Sequence, residues 1–506
     1  MAEAARLTGV HPSAQVRLIR YGSVIGPAAV VAPGPNGNWE EQYVGGMNGM
    51  SGLQKITALA LVMLGAMTLG GWPASAAGAA AVEPILIGGI PVDFILFALT
   101  LLGVALFHHH TFYVALAGLV AITGYKLAFS GFKTGGGIPG LIGHIEHEWV
   151  VLANLFLLLM GFSLLARHFE KSGIPDVMPA LLPDDWKGAF LLLAIVWVIS
   201  SFLDNIAAAL IGGSMAIKLF KGKVHIGYVA AITAASNAGG SFSVVGDTTT
   251  TMMWIDGVSP ASVLRALLAA VVALVVCGIP AAIQQQRYAP IAKDPEPGAK
   301  VDWARVFIVL SILAVAIAAN VWANLRLPWL LDAAPVIGLG VWAAILLTAL
   351  IRKPDWNLLP ENFKGTIFLL ALVTCASMMP VEKLPAASWP TALGLGFVSA
   401  VFDNIPLTAL ALKQGGYDWG FLAYAVGFGG SMLWFGSSAG VAISNQFPES
   451  KNALAWLKGG WHVALAYVVG FFVMLATLGW IPDPPHKRKA AEAAPAAIVQ
   501  TAAHNR

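Results

Sequence analysis

The sequence predicts an all-α polytopic membrane protein, with about 10–11 spans arranged as an inverted-topology repeat. Of its 506 residues, 58% are hydrophobic and 11% are charged, whereas a soluble domain carries about 25% charged residues. Apolar runs of about 18 or more residues, the length of a membrane-spanning helix, recur along most of the chain. Two apolar blocks differ from simple spans because each contains an Asp-Asn pair. They predict two re-entrant hairpins, and glycine-rich interruptions elsewhere predict two discontinuous helices.

The N-terminal part of the chain is predicted to lie outside the transmembrane repeats. Residues 1–49 are polar and aperiodic, and we expect either a disordered extension or a start assigned too early, with Met47 or Met50 as the real start. Residues 50–80 combine Lys55, an apolar core and an Ala-Ser-Ala sequence, a pattern typical of a bacterial secretory signal. This segment is expected either to be cleaved or to remain as a first helix.

The rest of the chain divides into two halves with the same order of features. Each half is predicted to contain three spans, a hairpin, an interrupted helix and a final span. The predicted segments are a first repeat at 84–283 (hairpin 188–217, broken helix 226–256), a cytoplasmic linker at 284–302, a second repeat at 303–481 (hairpin 389–412, broken helix 419–447) and a polar tail at 482–506. Simple spans are predicted at 84–106, 111–129, 149–166, 261–283, 303–325, 333–351, 366–380 and 460–481.

The distribution of basic residues predicts the orientation of these segments. When both Asp-Asn blocks are treated as hairpins, most Lys and Arg residues outside the spans fall on one face, and Arg167, Lys171 and Lys218 are among them. The positive-inside rule makes that face cytoplasmic. Only the basic tail, which would lie on the opposite face, disagrees with this orientation.

Two pairs of short sequences relate the halves to each other. "SFLDNIAAALIGG" (201–213) matches "AVFDNIPLTALAL" (400–412), and "GGSFSVVGDT" (239–248) matches "GGSMLWFGSS" (429–438). The charge distribution makes the two hairpins enter from opposite faces, so the repeat is inverted. Secondary transporters place their substrate site at the midplane, where discontinuous helices from two such repeats meet.

Three aspartates are the main candidates for ion binding: Asp204, Asp247 and Asp403. A charged side chain at mid-membrane costs at least about 2.5–3.5 kcal/mol, and no Lys or Arg lies within these motifs. Three acids without a basic partner must bind cations or protons. The pattern therefore predicts Na+ at these three residues and exchange of the cation for protons. The alternative for the two hairpin aspartates is helix capping alone.

Other polar residues around the motifs are candidate ligands. Asn205 and Asn404 are expected either to cap the hairpins or to bind the ion. Unwound backbone at the glycine breaks frees carbonyl oxygens, which suit small cations. Side-chain oxygens are expected from Ser236, Asn237, Ser241, Thr248, Thr249, Ser431 and Ser437. Of the four consecutive threonines, we expect only the first two to take part.

A second polar cluster precedes the third span. In "HIEHEW", His144, His147 and Glu148 are expected outside, at the mouth of the span, as a pH-sensing or proton-entry patch. The sequence has no catalytic or phosphate-binding motif, so we expect neither an enzyme nor a cofactor. Nucleic-acid binding is not expected, because no basic stripe with interleaved aromatics is present.

Residues 84–481 resemble the NhaD type of sodium/proton antiporter, within the superfamily that also holds arsenite and citrate/dicarboxylate carriers. The resemblance rests on "FLDNI", "SNAGGSFSVVGDTTTTMMW" and "FDNIPL…GFGGSMLWFGSSAGVAIS". It implies a homodimer in the bacterial inner membrane, with a scaffold domain and a transport domain that moves like an elevator. It also implies that Asp204, Asp247 and Asp403 are the essential acids for exchange of Na+ or Li+ for H+. The alternatives are a sodium-coupled citrate/dicarboxylate carrier and an arsenite efflux permease.

Overall fold

The computed structural model describes residues 29–33, 39–43, 85–107, 110–292 and 300–483. The chain forms two compact units, Met1–Val62 and Met63–Arg506. In the first unit, strands β1 (Ala29–Pro33) and β2 (Trp39–Tyr43) pair in antiparallel register. Both strands fall in the segment for which no regular structure was predicted. The signal-like segment at 50–80 lies outside the described residues.

The second unit is built almost entirely from helices. Its first half contains strands β3 (Leu86–Ile87) and β4 (Ile90–Pro91) and helices α1 (Val92–Leu106), α2 (Thr111–Tyr125), α3 (Gly137–Glu170), α4 (Ile174–Val177), α5 (Trp186–Ser200), α6 (Asn205–Leu219), α7 (Ile226–Ser241), α8 (Thr248–Ile255), α9 (Pro260–Leu264) and α10 (Leu267–Tyr288). Its second half contains α11 (Trp303–Arg326), α12 (Pro328–Ala333), α13 (Val336–Thr348), α14 (Leu358–Ser377), α15 (Trp389–Ser399), α16 (Asn404–Gln414), α17 (Trp419–Gly429), α18 (Ser438–Gln446), α19 (Ala453–Gly459) and α20 (Trp461–Leu478). A π-helical segment, Lys126–Ser130, follows α2, and short 3₁₀ segments lie at Met178–Leu181, Val381–Lys383, Gly430–Met432 and Pro448–Ser450.

Within the described residues, six helical segments are long and apolar enough to cross a membrane. They are Thr111–Ser130, Gly137–Glu170, Pro260–Tyr288, Trp303–Ala323, Leu358–Ser377 and Trp461–Leu478. Helices α1, α5, α6 and α13 are also apolar but shorter. The chain is therefore a multi-pass membrane protein of the all-α class, as its composition predicted.

The first predicted span begins later than expected. Residues 84–91 do not extend the helix, because β3 and β4 pair across a tight turn. Gly88 and Gly89 in that turn have φ angles of 61° and 84°, and a two-residue hairpin turn with both φ values positive favours glycine. Helix α1 then starts at Val92.

The interruptions predicted inside the apolar blocks are present. Helix α5 ends at Ser200 and α6 begins at Asn205, while α15 ends at Ser399 and α16 begins at Asn404. Asp204 caps α6 and Asp403 caps α16, because each carboxylate accepts a hydrogen bond from a backbone N–H in the first turn of its helix. This contact satisfies an N–H group that has no partner within the helix. The other two breaks separate α7 from α8 and α17 from α18.

The helices of the second unit pack in two groups. Helices α1, α2, α3, α11, α13 and α14 contact mainly one another, and α5–α8, α10, α15–α18 and α20 form the other group. The principal contacts between the groups are those of α14 with α16 and of α3 with α8. All four interrupted elements therefore belong to one group, which rests against α3 and α14 of the other.

Candidate functional site

Each hairpin aspartate contacts a hydroxyl group just after the break in its own half. Asp204 accepts a hydrogen bond from the Ile206 N–H at 3.2 Å and lies 3.4 Å from the Thr248 hydroxyl. Asp403 likewise accepts from the backbone N–H two residues later, at 3.0 Å, and from the Ser438 hydroxyl at 2.8 Å. Both capping and a contact across the break are thus realised, so capping alone does not describe these carboxylates.

Asn237 joins the two halves at the centre of the site. Its side-chain oxygen accepts a hydrogen bond from Asn205 Nδ2 at 3.0 Å. Its own Nδ2 donates to the hydroxyls of Ser431 and Ser437, at 2.9 and 3.0 Å. All four side chains are buried. One amide therefore holds a residue of the first hairpin to both ends of the second break.

Asp247 is the third candidate acid and lies at the first break. Its carboxylate accepts from the Thr249 N–H at 3.3 Å and from the Thr249 hydroxyl at 2.8 Å. Asn404, at the start of the second hairpin helix, places its Nδ2 3.5 Å from Asp247 Oδ2. Only 2% of Asp247 is exposed. The first break thus contacts the second hairpin, just as the second break contacts the first hairpin through Asn237.

The four threonines have two different roles. The first two contact the aspartates described above. Thr250 donates to the carbonyl oxygens of Ser243 and Asp247, at 2.6 and 2.9 Å, and Thr251 donates to that of Val244 at 3.0 Å. Ser243 and Val244 lie in the unwound segment between α7 and α8, so these hydroxyls supply hydrogen bonds to carbonyls of that segment. The threonine run therefore both lines the site and fixes the break.

Two of the predicted ligands turn their hydroxyls into their own helix. Ser236 donates to the carbonyl of Thr233 at 2.9 Å, and Ser241 donates to that of Ala238 at 2.8 Å. Among the described residues, no group of three His, Cys, Asp or Glu side chains could hold a metal ion. Na+ binding at Asp204, Asp247 and Asp403 stays a prediction.

The glycines at the breaks permit very close packing. A Cβ atom on Gly239 would lie 2.1 Å from the carbonyl oxygen of Trp197, and one on Gly429 would lie 2.4 Å from that of Gly396. Both distances are far below van der Waals contact. The break helices can approach the first helix of each hairpin only because these positions lack a side chain.

A cavity of about 810 Å³ adjoins this site. Asp204 and Ser438 lie in its lining, together with basic residues that include Lys171 and Lys218. Lys171 Nζ lies 2.7 Å from Asp355, and this hydrogen bond lowers the pKa of Asp355 below its usual value. A hairpin aspartate and several charged residues therefore line the same cavity.

The polar cluster before the third predicted span is part of a helix, because that helix begins at Gly137. Helix α3 runs through it, and His144 and Glu148 are buried whereas His147 is exposed. Lys413, in the last turn of α16, pairs with Glu148 at 2.6 Å, and the His144 ring lies 3.0 Å from the Ser377 hydroxyl. These partners satisfy the polar groups that the helix buries, and the expected role of the cluster in pH sensing or proton entry stays a prediction.

Sequence reasoning missed two functional candidates. Ser438 was not selected, although it occupies the position of Thr248 when "GGSMLWFGSS" is aligned with "GGSFSVVGDT". That alignment could have identified it. Lys413 could not be assigned to Glu148, because the two residues are 265 positions apart and no local pattern links them.

Comparisons with known proteins give relatives of one kind. No family model matches the chain. Sodium/proton antiporter 1 of Arabidopsis thaliana is 29% identical over 291 residues, which is 49% of this chain and 48% of that protein, so the match spans about half of that relative. The Na(+)/H(+) antiporters NhaD of Vibrio parahaemolyticus and Alkalimonas amylolytica are 26% and 25% identical, over 64% and 65% of this chain and 90% and 78% of their own lengths. The resemblance predicted from the motifs is therefore confirmed, and over about two thirds of its length the chain is similar to antiporters of the NhaD type.

Proposed function

We propose that this protein is a secondary active transporter of the bacterial inner membrane that exchanges Na+ or Li+ for H+. The observation that carries the proposal is the pair of hairpin aspartates, Asp204 and Asp403. Each caps a hairpin helix and also contacts a hydroxyl beyond a helix break. The relatives named as Na(+)/H(+) antiporters support the same function.

The electrostatics of the site favour exchange of a cation for a proton. Among the described residues, no Lys, Arg or His forms an ion pair with Asp204, Asp247 or Asp403. A carboxylate in a low-dielectric interior is stable only when a cation or a proton neutralises it. Binding of one therefore displaces the other, which couples cation release to proton binding. An anionic substrate would be repelled by the same carboxylates.

An inverted repeat is supported by contacts that recur between the halves. The Ser200 hydroxyl donates to the Ser236 carbonyl at 2.6 Å, and the Ser399 hydroxyl donates to the Val426 carbonyl at 2.7 Å. These residues correspond when the two motif alignments are extended toward the N-terminus by one and three residues, and the hairpin aspartates and their hydroxyl partners correspond within the alignments. Such a repeat places the site where two discontinuous helices meet, as in other secondary transporters.

The two groups of helices are consistent with a scaffold and a moving transport domain. The interrupted helices lie together in one group, so they can move as one body against α3 and α14. The cavity that ends at Asp204 would then be the cytoplasmic vestibule of an inward-facing state, because Arg167, Lys171 and Lys218 line it. We propose that the protein works as a homodimer with this arrangement.

The function is tested in inverted membrane vesicles from an antiporter-deficient bacterial strain. A respiratory proton gradient is followed with a pH-sensitive dye while Na+, Li+ or K+ is added. We expect Na+ and Li+ to collapse the gradient, and Asp204→Asn and Asp403→Asn to abolish the response. The matched control is Asp185→Asn, because Asp185 caps α5 in the same way but is exposed.

A lack of response to every cation, with normal amounts of inserted protein, would refute antiport. Labelled citrate and arsenite would then be supplied to the same vesicles. Sodium-stimulated citrate uptake would support a carboxylate carrier, and sodium-independent arsenite transport would support an efflux permease.

A further inference from the structure

An apolar groove of about 350 Å³ lies between the two groups of helices. Helix α5, of the group with the interrupted elements, supplies Leu191, Ala194 and Val198 to one wall. Helix α11, of the other group, supplies Val306 and Leu310 to the opposite wall. Every side chain that lines the groove is apolar, and none of them lines the larger cavity described above. The groove is therefore a separate feature, placed where one group of helices meets the other.

The groove faces the hydrocarbon of the membrane. Leu191, Val198 and Leu310 are 42%, 50% and 58% exposed, and each belongs to an apolar helix. Because the protein crosses the membrane several times, apolar side chains exposed on such helices contact acyl chains and not water. An unfilled groove would leave both walls without van der Waals partners. The surrounding medium therefore supplies the occupant, which is an acyl chain.

The depth of the groove matches one leaflet of the bilayer. From Leu191 to Ile199, helix α5 rises about 12 Å, and Phe202 extends the lining beyond the end of the helix. The hydrocarbon of one leaflet is about 15 Å deep, half of the whole core. The inner end of the groove is closed by the rings of Phe169 and Phe202, whose centroids are 5.8 Å apart. At the outer end Trp303, in the first turn of α11, is exposed, as aromatic residues at a membrane interface commonly are.

Two lysines lie at the outer end of the groove. Lys187 is exposed and precedes Leu191 by one turn, on the same face of α5. Lys300 is also exposed, and its carbonyl oxygen would lie 2.9 Å from a Cβ atom on Gly173, the residue before Ile174 of the groove lining. Within the part of the chain that the structure describes, neither lysine forms an ion pair. Basic side chains at a membrane surface attract anionic lipid headgroups.

We propose that the groove between α5 and α11 binds one acyl chain of an anionic phospholipid, with the headgroup phosphate at Lys187 and Lys300. The end of the chain reaches the contact between Phe169 and Phe202, close to the tip of the first hairpin. Because its two walls belong to different groups of helices, the bound lipid must shift or leave when one group moves against the other. The site holds none of the ion-binding candidates, and lipid binding is measured without transport, so the proposal does not depend on antiport.

The test uses the purified full-length protein, stripped of lipid in detergent, and phosphatidylglycerol with a photoreactive diazirine at the end of one acyl chain. After illumination and proteolysis, mass spectrometry locates the attached lipid. We expect attachment at the closed end of the groove, within residues 195–202, well above that on other apolar helices such as α20. Phosphatidylcholine with the same acyl chains is the comparison for the headgroup.

Two variants fill the groove from opposite walls. Ala194→Phe places a ring in it from α5, and Val306→Phe does so from α11 and is used if the first variant fails to fold. Attachment within residues 195–202 should be lost in both. The matched control is Ala318→Phe, because Ala318 is exposed on α11 more than two turns beyond Leu310 and does not line the groove.

A separate variant tests the headgroup. Lys187→Gln combined with Lys300→Gln removes both positive charges, so the phosphatidylglycerol concentration for half-maximal attachment should rise at least about tenfold. Attachment of phosphatidylcholine should change little. Lys458→Gln is the control, because Lys458 is equally exposed but lies on α19, which does not line the groove.

Three results would overturn the proposal. Attachment spread evenly over the apolar helices, or retained in both phenylalanine variants, would show that the groove is not a lipid site. Equal affinity for the two lipids would refute the anionic headgroup. Conversion of a dimer to a monomer by Ala194→Phe, with lipid attachment unchanged, would show that a second copy of the chain covers the groove.

Discussion

Removal of the central amide by Asn237→Ala should destabilise the protein and loosen the link between its halves. The change deletes three buried hydrogen bonds, to Asn205, Ser431 and Ser437. At about 0.6 kcal/mol for an average bond between membrane helices, the loss is about 2 kcal/mol. The buried Asn205 amide also loses its acceptor, which costs about 1–3 kcal/mol. The expected total is about 3–5 kcal/mol.

The neighbouring variant Ser236→Ala provides a matched control. Ser236 is equally buried, but its hydroxyl donates only to a carbonyl of its own helix. Thermal unfolding of the purified proteins in detergent measures the difference, and transport in vesicles shows whether the halves remain coupled. Equal melting temperatures for Asn237→Ala and Ser236→Ala would refute the bridging role of this amide.

Two further changes test the packing around the site. Lys413→Met leaves Glu148 buried without its partner, which costs about 3–5 kcal/mol for a fully buried pair. Because the Lys413 side chain is 24% exposed, we expect a loss of stability of about 2 kcal/mol. The double variant with Glu148→Gln should recover much of this loss, and additive losses from the two changes would contradict the pairing. Gly239→Ala drives a methyl group against the Trp197 carbonyl and should lower the yield of folded protein, or cost about 1–3 kcal/mol if the backbone shifts. Gly394→Ala, with open space around it, should fold normally, and equal yields of the two variants would refute the close approach.

Sequence alone predicted the features that local chemistry determines. Aspartate before a helix start and glycine at a break have local causes, so the interruptions at Asp204, Asp403 and the two glycine motifs could be located. Composition and run length likewise gave the all-α membrane class. These signals depend on neighbouring residues and need no knowledge of the tertiary structure.

Contacts between distant segments could not be predicted in the same way. Asn237 bonds to residues 194 and 200 positions away, and only the folded chain brings them together. The third span was predicted to begin at residue 149, after the cluster around His144, yet helix α3 already includes this cluster, and partners from α14 and α16 satisfy its buried side chains. Gly88 and Gly89 form a turn before α1. Run length alone had placed this turn inside the predicted span at 84–106.

The most direct test of cation and proton competition at the three site aspartates is the number of protons released when Na+ binds to the purified protein. Calorimetric titrations in buffers of different ionisation enthalpy report this number without any need for transport. Because bound cations and protons neutralise the same carboxylates, the wild-type protein should release protons on binding Na+, and Asp204→Asn and Asp403→Asn should release fewer. Na+ binding that releases no proton at any pH would contradict competition at these carboxylates.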